Sequence, residues 1–267
     1  MNTKMDNYLD QLVTAIETRK SKRKLQKIYL NKEHLQKLQE FLSILTAPFD
    51  HSVDITIHSL PEKYSVFLLA DMRNIVAFSA PNTLLDQAKV GFLGEIFILY
   101  CESLGVNTCW IGHFKKENTY QIVYGTTEEN APKRIHCISP LGYAPEKTPF
   151  VDNVFGHTRK PWEEKLLPDS LKDFPVFIKN AFHLAMKAPS AMNSQCWTFK
   201  VEENENNYQI EISKPDGYRH FKWPYPDIDV GTAAAHFYLS CLQQGHHLKI
   251  SLDDNNKKVT WKFSIQK

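Results

Sequence analysis

Apolar residues in the first part of the chain recur at helix and strand spacings. Apolar side chains three and four positions apart at residues 5–18 and 35–45 predict two amphipathic helices. Strict alternation over 53–57 predicts a half-buried strand, and 65–70 and 74–79 also read as strands. The first part therefore predicts helices followed by strands.

The later part of the chain follows the same order. A helix at 174–187 ends at Ala188-Pro189, and strands are predicted at 197–202 and 208–213. Residues 148–168, between the two parts, are rich in proline, glycine and charge, which predicts an extended crossover.

Two long apolar helices, predicted at 84–104 and 229–244, are similar residue by residue. A shift of 140 positions aligns sixteen residues without a gap and gives six identities, where average residue usage gives roughly one. The identical pairs are Val90/Val230, Gly91/Gly231, Phe97/Phe237, Leu99/Leu239, Cys101/Cys241 and Gly105/Gly245. The chain therefore reads as a duplicated unit.

The duplication sets the predicted architecture. One half covers residues 1–150, a crossover linker covers 151–168, and the other half covers 169–267. We expect an α+β fold with two similar halves, each a mostly antiparallel sheet flanked by helices. The two long helices are expected to pack against each other.

Composition limits the function classes. Of 267 residues, 42% are hydrophobic and 23% charged, which fits a packed globular chain. The net charge of +2 gives no whole-molecule attraction to nucleic acid or an anionic membrane, so any anion site must be local. The longest apolar run, Val90–Cys101, is too short to span a bilayer, and the polar start lacks a signal-peptide pattern. Five cysteines without a CxxC pair favour the reduced cytoplasm, and no Cys/His spacing predicts a metal site.

A basic segment, Arg19-Lys20-Ser21-Lys22-Arg23, follows the first predicted helix. Phosphate groups are bound by cationic donors together with a hydroxyl or free backbone N–H groups, and this segment supplies them. A solvated basic loop and a localisation-type patch are the alternatives that the residues leave open.

A second segment, residues 188–199 with the sequence APSAMNSQCWTF, combines small residues with amide side chains. Small residues after Pro189 allow backbone N–H groups to approach a flat ligand. Asn193 and Gln195 offer donors and acceptors that suit the edge of a pyrimidine-like ring. An ordinary turn is the alternative for this segment alone.

Two further segments combine glycine with apolar residues. In residues 104–114, LGVNTCWIGHF, a core helix passes through a glycine stop into an apolar strand end. Residues 139–147 read SPLGYAPEK, and RKPWEE follows downstream at 159–164.

Together, these four segments resemble the motifs of the nitroreductase family of FMN-dependent oxidoreductases. That family carries R-[RH]-S-x-[RK] near its N-terminus, APSxxNxQPWxF after the second helix, an LGxxTCWIGGF-like stretch, and IGYPxE followed by RKPxEE. The resemblance covers most of the chain. Only the combination of the four motifs is specific for the family. The APSxxN segment lies in the second half here, which is similar to the family's fused, single-chain pseudo-dimers.

The resemblance implies one FMN per chain. In the family, each FMN lies at a dimer interface, where one subunit gives the basic segment and the other helps wall the isoalloxazine ring. The first half here has the basic segment but a degraded APFDH at 47–51. The second half keeps APSAMN at 188–193 but has no Arg-x-Ser-x-Arg before it.

Positions that match the motifs imply roles in holding FMN. Arg19, Lys20 and Ser21 would contact the phosphate and ribityl chain, and Arg159, with His157, would add phosphate contacts. Arg23 would lie near the N1 and O2 edge, where a positive charge stabilises anionic reduced flavin. Residues 111–113 would reach N5, where the hydride is transferred. The full implied set is Arg19, Lys20, Ser21, Arg23, Ile111, Gly112, His113, His157, Arg159, Pro189, Ser190, Ala191, Asn193 and Gln195.

Three residues depart from the family pattern. Cys196 replaces the proline of QPW, and His113 stands where glycine is common. Lys20 takes the place of a second arginine, and lysine lacks the planar fork of a guanidinium group.

The resemblance implies an FMN-dependent NAD(P)H oxidoreductase with ping-pong kinetics. NADH or NADPH gives a hydride to flavin N5, and a nitroaromatic, quinone or similar electron-poor small molecule then accepts it. The cofactor carries the chemistry, so the sequence identifies no catalytic acid or base. No nucleic-acid or membrane partner is expected, and the sequence leaves further pairing of chains open.

Two other function classes stay open. Loss of one site and the bulky His113 are compatible with a flavin-binding protein without turnover, acting as a sensor, store or scaffold. A cysteine hydrolase built on Cys196 is disfavoured, because the local C-G-[SA]-C-[WY] pattern is absent. The aromatic run Tyr218, Phe221, Trp223 and Tyr225 reads either as loop packing or as the cover of a substrate pocket.

Overall fold

The computed structural model describes residues 3–61, 72–146, 158–220 and 222–267. The predicted strand at 65–70, residue His157 and the first part of the predicted crossover lie outside these residues. The helices in the described parts are α1 (Thr3–Asp6), α2 (Leu9–Thr18), α3 (Lys32–Ile44), α4 (Leu84–Ser103), α5 (Lys116–Tyr124), α6 (Val176–Ala185) and α7 (Pro226–Gln243).

Two antiparallel sheets accompany these helices. The first has the order β1-β2-β3, with β1 at Asp54–Ser59, β2 at Asn74–Ala80 and β3 at Arg134–Leu141. The second has the order β4-β5-β7-β6, with β4 at Thr198–Glu203, β5 at Asn207–Ser213, β6 at Leu248–Asp254 and β7 at Val259–Gln266. The predicted α+β class with antiparallel sheets flanked by helices is confirmed.

Several elements differ from the sequence prediction. Helix α5 and strands β3, β6 and β7 were not predicted. Strand β3 is buried along almost all of its length and contains Pro140, so it shows neither clean alternation nor a favourable strand composition. The apolar stretch 105–114 does not continue as a strand. It makes only single antiparallel bridges, at Asn107–Gly142 and Ile111–Ile138.

Helices α4 and α7 pack directly against each other, as the duplication predicts. Both are buried around nearly their whole circumference. A Cβ atom on Gly91 would collide with the carbonyl oxygen of Ile228, and one on Gly231 would collide with the carbonyl oxygen of Ala88. Glycine at these positions therefore allows the two backbones to touch.

Helix α2 packs on both central helices. Its apolar face buries Leu12, Val13 and Ile16, and the chain leaves it at Arg19, whose backbone N–H caps the carbonyl oxygen of Ala15. The start of the basic segment is thus fixed against the middle of α4.

No helix among the described residues is long and apolar enough to cross a membrane. All five cysteines lie in the described parts of the chain, where they are buried and form no disulfide.

Candidate active site

A cavity of about 850 Å³ lies where the basic segment, the end of the 104–114 stretch and the start of α7 meet. This volume is typical of small-molecule sites. The lining residues are Ser21, Arg23, Cys109, Trp110, Gly112, His113, Cys137, Pro189, Ser190, Ala191, Met192, His220, Lys222, Trp223, Pro224, Ile228, Asp229 and Thr232. Segments from the front and the back of the chain therefore share one cavity.

The loop after α6 has a strained backbone. Met192, Asn193 and Gln195 have φ values of 50°, 56° and 46°, a left-handed region that residues with side chains rarely adopt. Such strain persists where the surroundings fix it, and it is concentrated at functional sites.

Hydrogen bonds to α7 hold this loop in place. The backbone N–H of Ala191 donates to Asp229 Oδ2 at 3.1 Å. The hydroxyl of Thr232 donates to the carbonyl oxygen of Pro189 at 2.9 Å. Within the loop, the N–H of Gln195 donates to Ser190 Oγ at 2.9 Å. The residues that line the cavity are therefore anchored to the central helix pair.

The side chains of Asn193 and Gln195 hold the neighbouring segment 158–160 and do not line the cavity. Asn193 Nδ2 donates to the carbonyl oxygen of Thr158 at 2.9 Å, and Gln195 Oε1 accepts from the N–H of Lys160 at 2.9 Å. Arg159 Nη1 donates to Asn193 Oδ1 at 2.7 Å. In this structure the two amides hold the segment that carries Arg159, and the ring-edge contacts that the sequence predicts stay a prediction.

A buried carboxylate connects Arg19 to the central helices. Arg19 Nε lies 3.4 Å from Glu95 Oε1, and His236 Nε2 lies 3.1 Å from the same oxygen. Trp110 Nε1 donates to Glu95 Oε2 at 2.7 Å. Glu95, the residue that interrupts the apolar run of α4, therefore joins the basic segment, α7 and a wall of the cavity.

Arg19 and Arg159 lie close enough to affect each other. Burial, together with the positive charge of Arg19, lowers the pKa of Arg159 to about 10, and Glu95 acts in the opposite direction. The positive charges of Arg19 and Arg159 repel each other, and the carboxylate of Glu95 opposes that repulsion. An anion bound between them would relieve it.

The segment before α7 covers the cavity. The indole of Trp223 lies against Gly112, where a Cβ atom would collide with it. His220, Lys222 and Pro224 line the same side. From the sequence, this aromatic segment was compatible either with loop packing or with a cover over a substrate pocket. In the structure, Trp223 lies in the cavity wall.

The predicted site residues fall into three groups. Ser21, Arg23, Gly112, His113, Pro189, Ser190 and Ala191 line the cavity. Arg19, Arg159, Asn193 and Gln195 form the hydrogen-bonded or charged surroundings just described. Lys20 is exposed, Ile111 pairs with Ile138 through the backbone, and His157 lies outside the described residues.

Sequence reasoning missed Trp110, His220, Lys222, Asp229 and Thr232. Asp229 and Thr232 stand one helical turn apart at the start of α7. The available signal was the pair of acidic residues after Pro226, which is unusual at the start of an otherwise apolar helix. Spacing alone does not show which of these side chains faces a cavity.

Cys196 lacks the character of a nucleophile. Its thiol is buried and lies 3.7 Å from the carbonyl oxygen of Pro226. Burial raises the pKa of Cys196 well above its usual value, and the charges of Asp229 and Asp227 raise it further. A thiol that resists ionisation is a poor nucleophile, so the hydrolase alternative is not supported.

Comparison with known families defines the class of protein. Residues 11–241 match the family model described as "Putative TM nitroreductase", and the chain therefore belongs to this nitroreductase-like family. Membership supports an oxidoreductase function. A search of curated proteins found no match.

One solved structure shows the same fold, and two others match only part of the chain. The crystal structure of a "putative nitroreductase" from Thermotoga maritima superposes with a TM-score of 0.65 at 19% identity, covering 94% of this chain and 92% of that chain. Nitroreductase A from Vibrio parahaemolyticus gives a TM-score of 0.47 at 15% identity, covering 66% of this chain and 84% of its own. A nitroreductase with bound FMN from Bacteroides fragilis gives 0.40 at 15% identity, over 52% of this chain and 91% of its own.

Proposed function

We propose that the protein is an FMN-dependent NAD(P)H oxidoreductase that holds one FMN per chain and reduces electron-poor small molecules. The observation that carries the proposal is the shared cavity, in which Ser21 and Arg23 from the front of the chain face Pro189–Ala191 from the back. Membership of a nitroreductase-like family supports the same chemistry.

The residues around the cavity fit the parts of FMN. Phosphate requires a concentration of cationic donors, and Arg19 and Arg159 converge beside the basic segment. Arg23 lies in the cavity wall, where a cation would stabilise negative charge on a reduced ring. When bound, FMN supplies the hydride chemistry, and the protein supplies binding and orientation.

The remaining wall suits a flat organic partner on one face of the ring. Trp110 and Trp223 supply broad aromatic surfaces, and His113 adds a polar edge. NADH or NADPH would occupy this face first and a quinone or nitroaromatic second. Because one place serves both, turnover would be ping-pong.

The corresponding region of the first half is filled, which supports one FMN per chain. Under the internal repeat, Ser190, Asp229 and Thr232 correspond to Phe49, Lys89 and Phe92. The Phe49 ring packs edge-on against Phe92 at 5.2 Å and Trp261 at 5.4 Å, measured between ring centroids. Aromatic packing thus occupies the place where the second half has a cavity.

One observation favours the alternative of flavin binding without turnover. Trp223 lies directly against Gly112, the position where the family resemblance places hydride transfer. If this indole stays there when flavin is bound, it would block a nicotinamide. The two functions share the cofactor and differ in whether the bound flavin can be reduced by NADH or NADPH.

The visible spectrum of the purified protein tests the cofactor, and anaerobic titration tests turnover. We expect oxidised-flavin bands with one FMN per chain and bleaching by NADH or NADPH. A matched comparison uses Arg23→Ala against Lys24→Ala, since Lys24 is exposed beside the cavity wall and does not line it. A colourless protein that cannot be reconstituted with FMN contradicts the proposal, and flavin that neither nicotinamide bleaches supports the binding role.

A further inference from the structure

Asp229 places a carboxyl group in the wall of the cavity. It is the fourth residue of α7 and is 5% exposed. Its Oδ2 accepts the N–H of Ala191 at 3.1 Å, in the strained loop that the family resemblance sets beside the flavin ring. The group is therefore fixed in position and faces the space proposed for ring and substrate.

The nearby Asp227 shows how a structural carboxylate differs. Asp227 forms a buried ion pair with Lys214, and its Oδ1 accepts the N–H of Val259 at 2.9 Å. Among the described residues, no cation lies within ion-pair distance of Asp229, although it stands only two positions further along the helix. Its charge is thus left unbalanced where that of Asp227 is compensated.

An uncompensated buried carboxyl group favours its protonated form. Burial raises the pKa of Asp229 to about 8, the hydrogen bond from the Ala191 N–H opposes the rise, and the charge of Asp227 adds to it. At neutral pH, the cavity therefore contains a neutral carboxylic acid that can donate a proton.

We propose that Asp229 is the general acid that protonates the acceptor substrate. This inference rests on the proposed function. A quinone that takes two electrons as a hydride on one oxygen also needs one proton on the other. The O–H bond of Asp229 breaks to supply that proton, the hydroquinone leaves, and solvent reprotonates the carboxylate before the next turnover. The hydride comes from NADH or NADPH through the flavin, so electrons and protons balance.

Other ionisable groups surround Asp229 and bear on its pH dependence. One facing group is Asp227 at the start of α7, with its ion-pair partner Lys214. The others are Arg23, His113, Cys137, His220 and Lys222 from the cavity wall, and Tyr218 and Cys196 from the packed side. A pH profile is therefore assigned to Asp229 only when the Asp229→Asn variant abolishes it.

The decisive experiment separates the two half-reactions in the FMN-loaded protein. Wild type, Asp229→Asn and Asp216→Asn are reduced anaerobically with NADH or NADPH and then mixed with p-benzoquinone at several pH values. Asp216 is an apt control because the same Asp→Asn exchange there removes a carboxyl group from an exposed ion pair with Lys258. We expect Asp229→Asn to slow flavin reoxidation by roughly 100-fold and to leave reduction by the nicotinamide nearly unchanged. Wild type and Asp216→Asn should slow together as pH rises through about 8.

Infrared spectroscopy gives a readout that does not depend on turnover. Wild type at pH 6 should show the C=O band of a protonated carboxyl group that disappears at pH 10 and is absent from Asp229→Asn. If Asp229→Asn fails to fold, Asp229→Ser takes its place in both measurements, and the same slowing of reoxidation and the same loss of the band are expected.

The outcomes also separate this inference from the proposed function. If neither nicotinamide reduces flavin in wild type, the proposed function fails and the acid role fails with it. If wild type turns over and Asp229→Asn reoxidises equally fast, only the acid role is overturned. Absence of a protonated carboxyl band at pH 6 overturns it as well.

Discussion

Gly91 of α4 and Gly231 of α7 each lie against the backbone of the other helix. The repeat of 140 positions that pairs these glycines also pairs Ala88 with Ile228, which are the residues they contact. Gly91 therefore contacts Ile228, and the equivalent pair under the repeat, Gly231 and Ala88, is also in contact. This is the relationship that a two-fold axis creates in a homodimer, which supports the proposed division into two fused halves.

This contact predicts coupled losses of stability. Gly91→Ala and Gly231→Ala should each lower the free energy of unfolding by about 1–3 kcal/mol, because an added methyl group forces the helices apart. Once the first substitution has separated the helices, the second should add less, so the double variant should lose less than the sum. Urea unfolding of the single and double variants measures this.

Gly125 provides the control for helix separation. Unlike the two helix glycines, it has a positive φ, 68°, and a Cβ atom there would have no neighbour within 4 Å. Gly125→Ala should therefore cost only the backbone strain and should add independently to Gly91→Ala. Full additivity in both double variants would contradict a shared contact between the central helices.

Glu95 should be essential for stability, because removing its charge leaves the buried guanidinium group of Arg19 unpaired and takes the carboxylate partner from buried His236. His236 Nδ1 lies 3.0 Å from the carbonyl oxygen of Leu184, which can only accept, so that nitrogen carries a proton and Nε2 faces Glu95. With Arg19 on the same oxygen, Glu95→Gln should lower the free energy of unfolding by roughly 3–5 kcal/mol.

A second glutamate of α4 serves as the comparison for Glu95. Glu102 is only half-buried, at the solvent end of the helix, and Glu102→Gln should cost less than about 1 kcal/mol. Denaturant unfolding at neutral pH compares the two variants. Equal losses of stability in the two variants would show that the buried contacts of Glu95 contribute no more than those of the half-buried Glu102.

Much of the helical framework could be predicted because its signals are local. The apolar faces of α2 and α3 and the full burial of α4 follow from residue spacing, and the repeat that contains the paired glycines is enough to identify the two central helices. Strand β3 was missed because a strand buried on both faces has no alternation, and the proline near its end argues against a strand.

The site was predictable only in part, for a physical reason. Motif matching located residues that line the cavity, such as Ser21 and Gly112. The side chains of Asn193 and Gln195 hold Arg159 and its neighbours in this structure, which motif matching did not predict, and their contacts with the ring edge stay a prediction. The orientation of the Asn193 and Gln195 side chains depends on their left-handed backbone angles in the loop after α6. Trp223 and Asp229 reach the cavity through tertiary packing, which leaves no spacing signal in the sequence.

Arg23 should tune the reactivity of bound flavin. Because it lines the cavity, its charge should stabilise a reduced, anionic ring more than the neutral oxidised one. Arg23→Ala should weaken FMN binding by roughly tenfold or more, as expected for a lost charge-assisted hydrogen bond, and should lower the reduction potential of the bound flavin. Fluorescence titration and an equilibrium dye method measure the two effects, with Lys24→Ala expected to match wild type. An unchanged potential would place Arg23 away from the ring.

Asp229 should make the apoprotein less stable as pH rises. Its pKa is raised to about 8 in the folded chain by burial, whereas an unfolded aspartate ionises near pH 4. Between these values the folded state holds a proton that the unfolded state has lost, so the free energy of unfolding falls with increasing pH. The slope approaches about 1.4 kcal/mol per pH unit and levels off above pH 8.

The difference between wild type and Asp229→Asn isolates this effect from other titrating groups. Burial raises the pKa of Glu102 and lowers the pKa of His136, but both residues are present in the two proteins and cancel. Urea unfolding at pH 5, 6, 7, 8 and 9 should show wild type losing stability relative to the variant up to pH 8. The asparagine keeps an oxygen to accept the Ala191 N–H, so a pH-independent difference would mean that Asp229 is already ionised at pH 5 and holds no proton to donate.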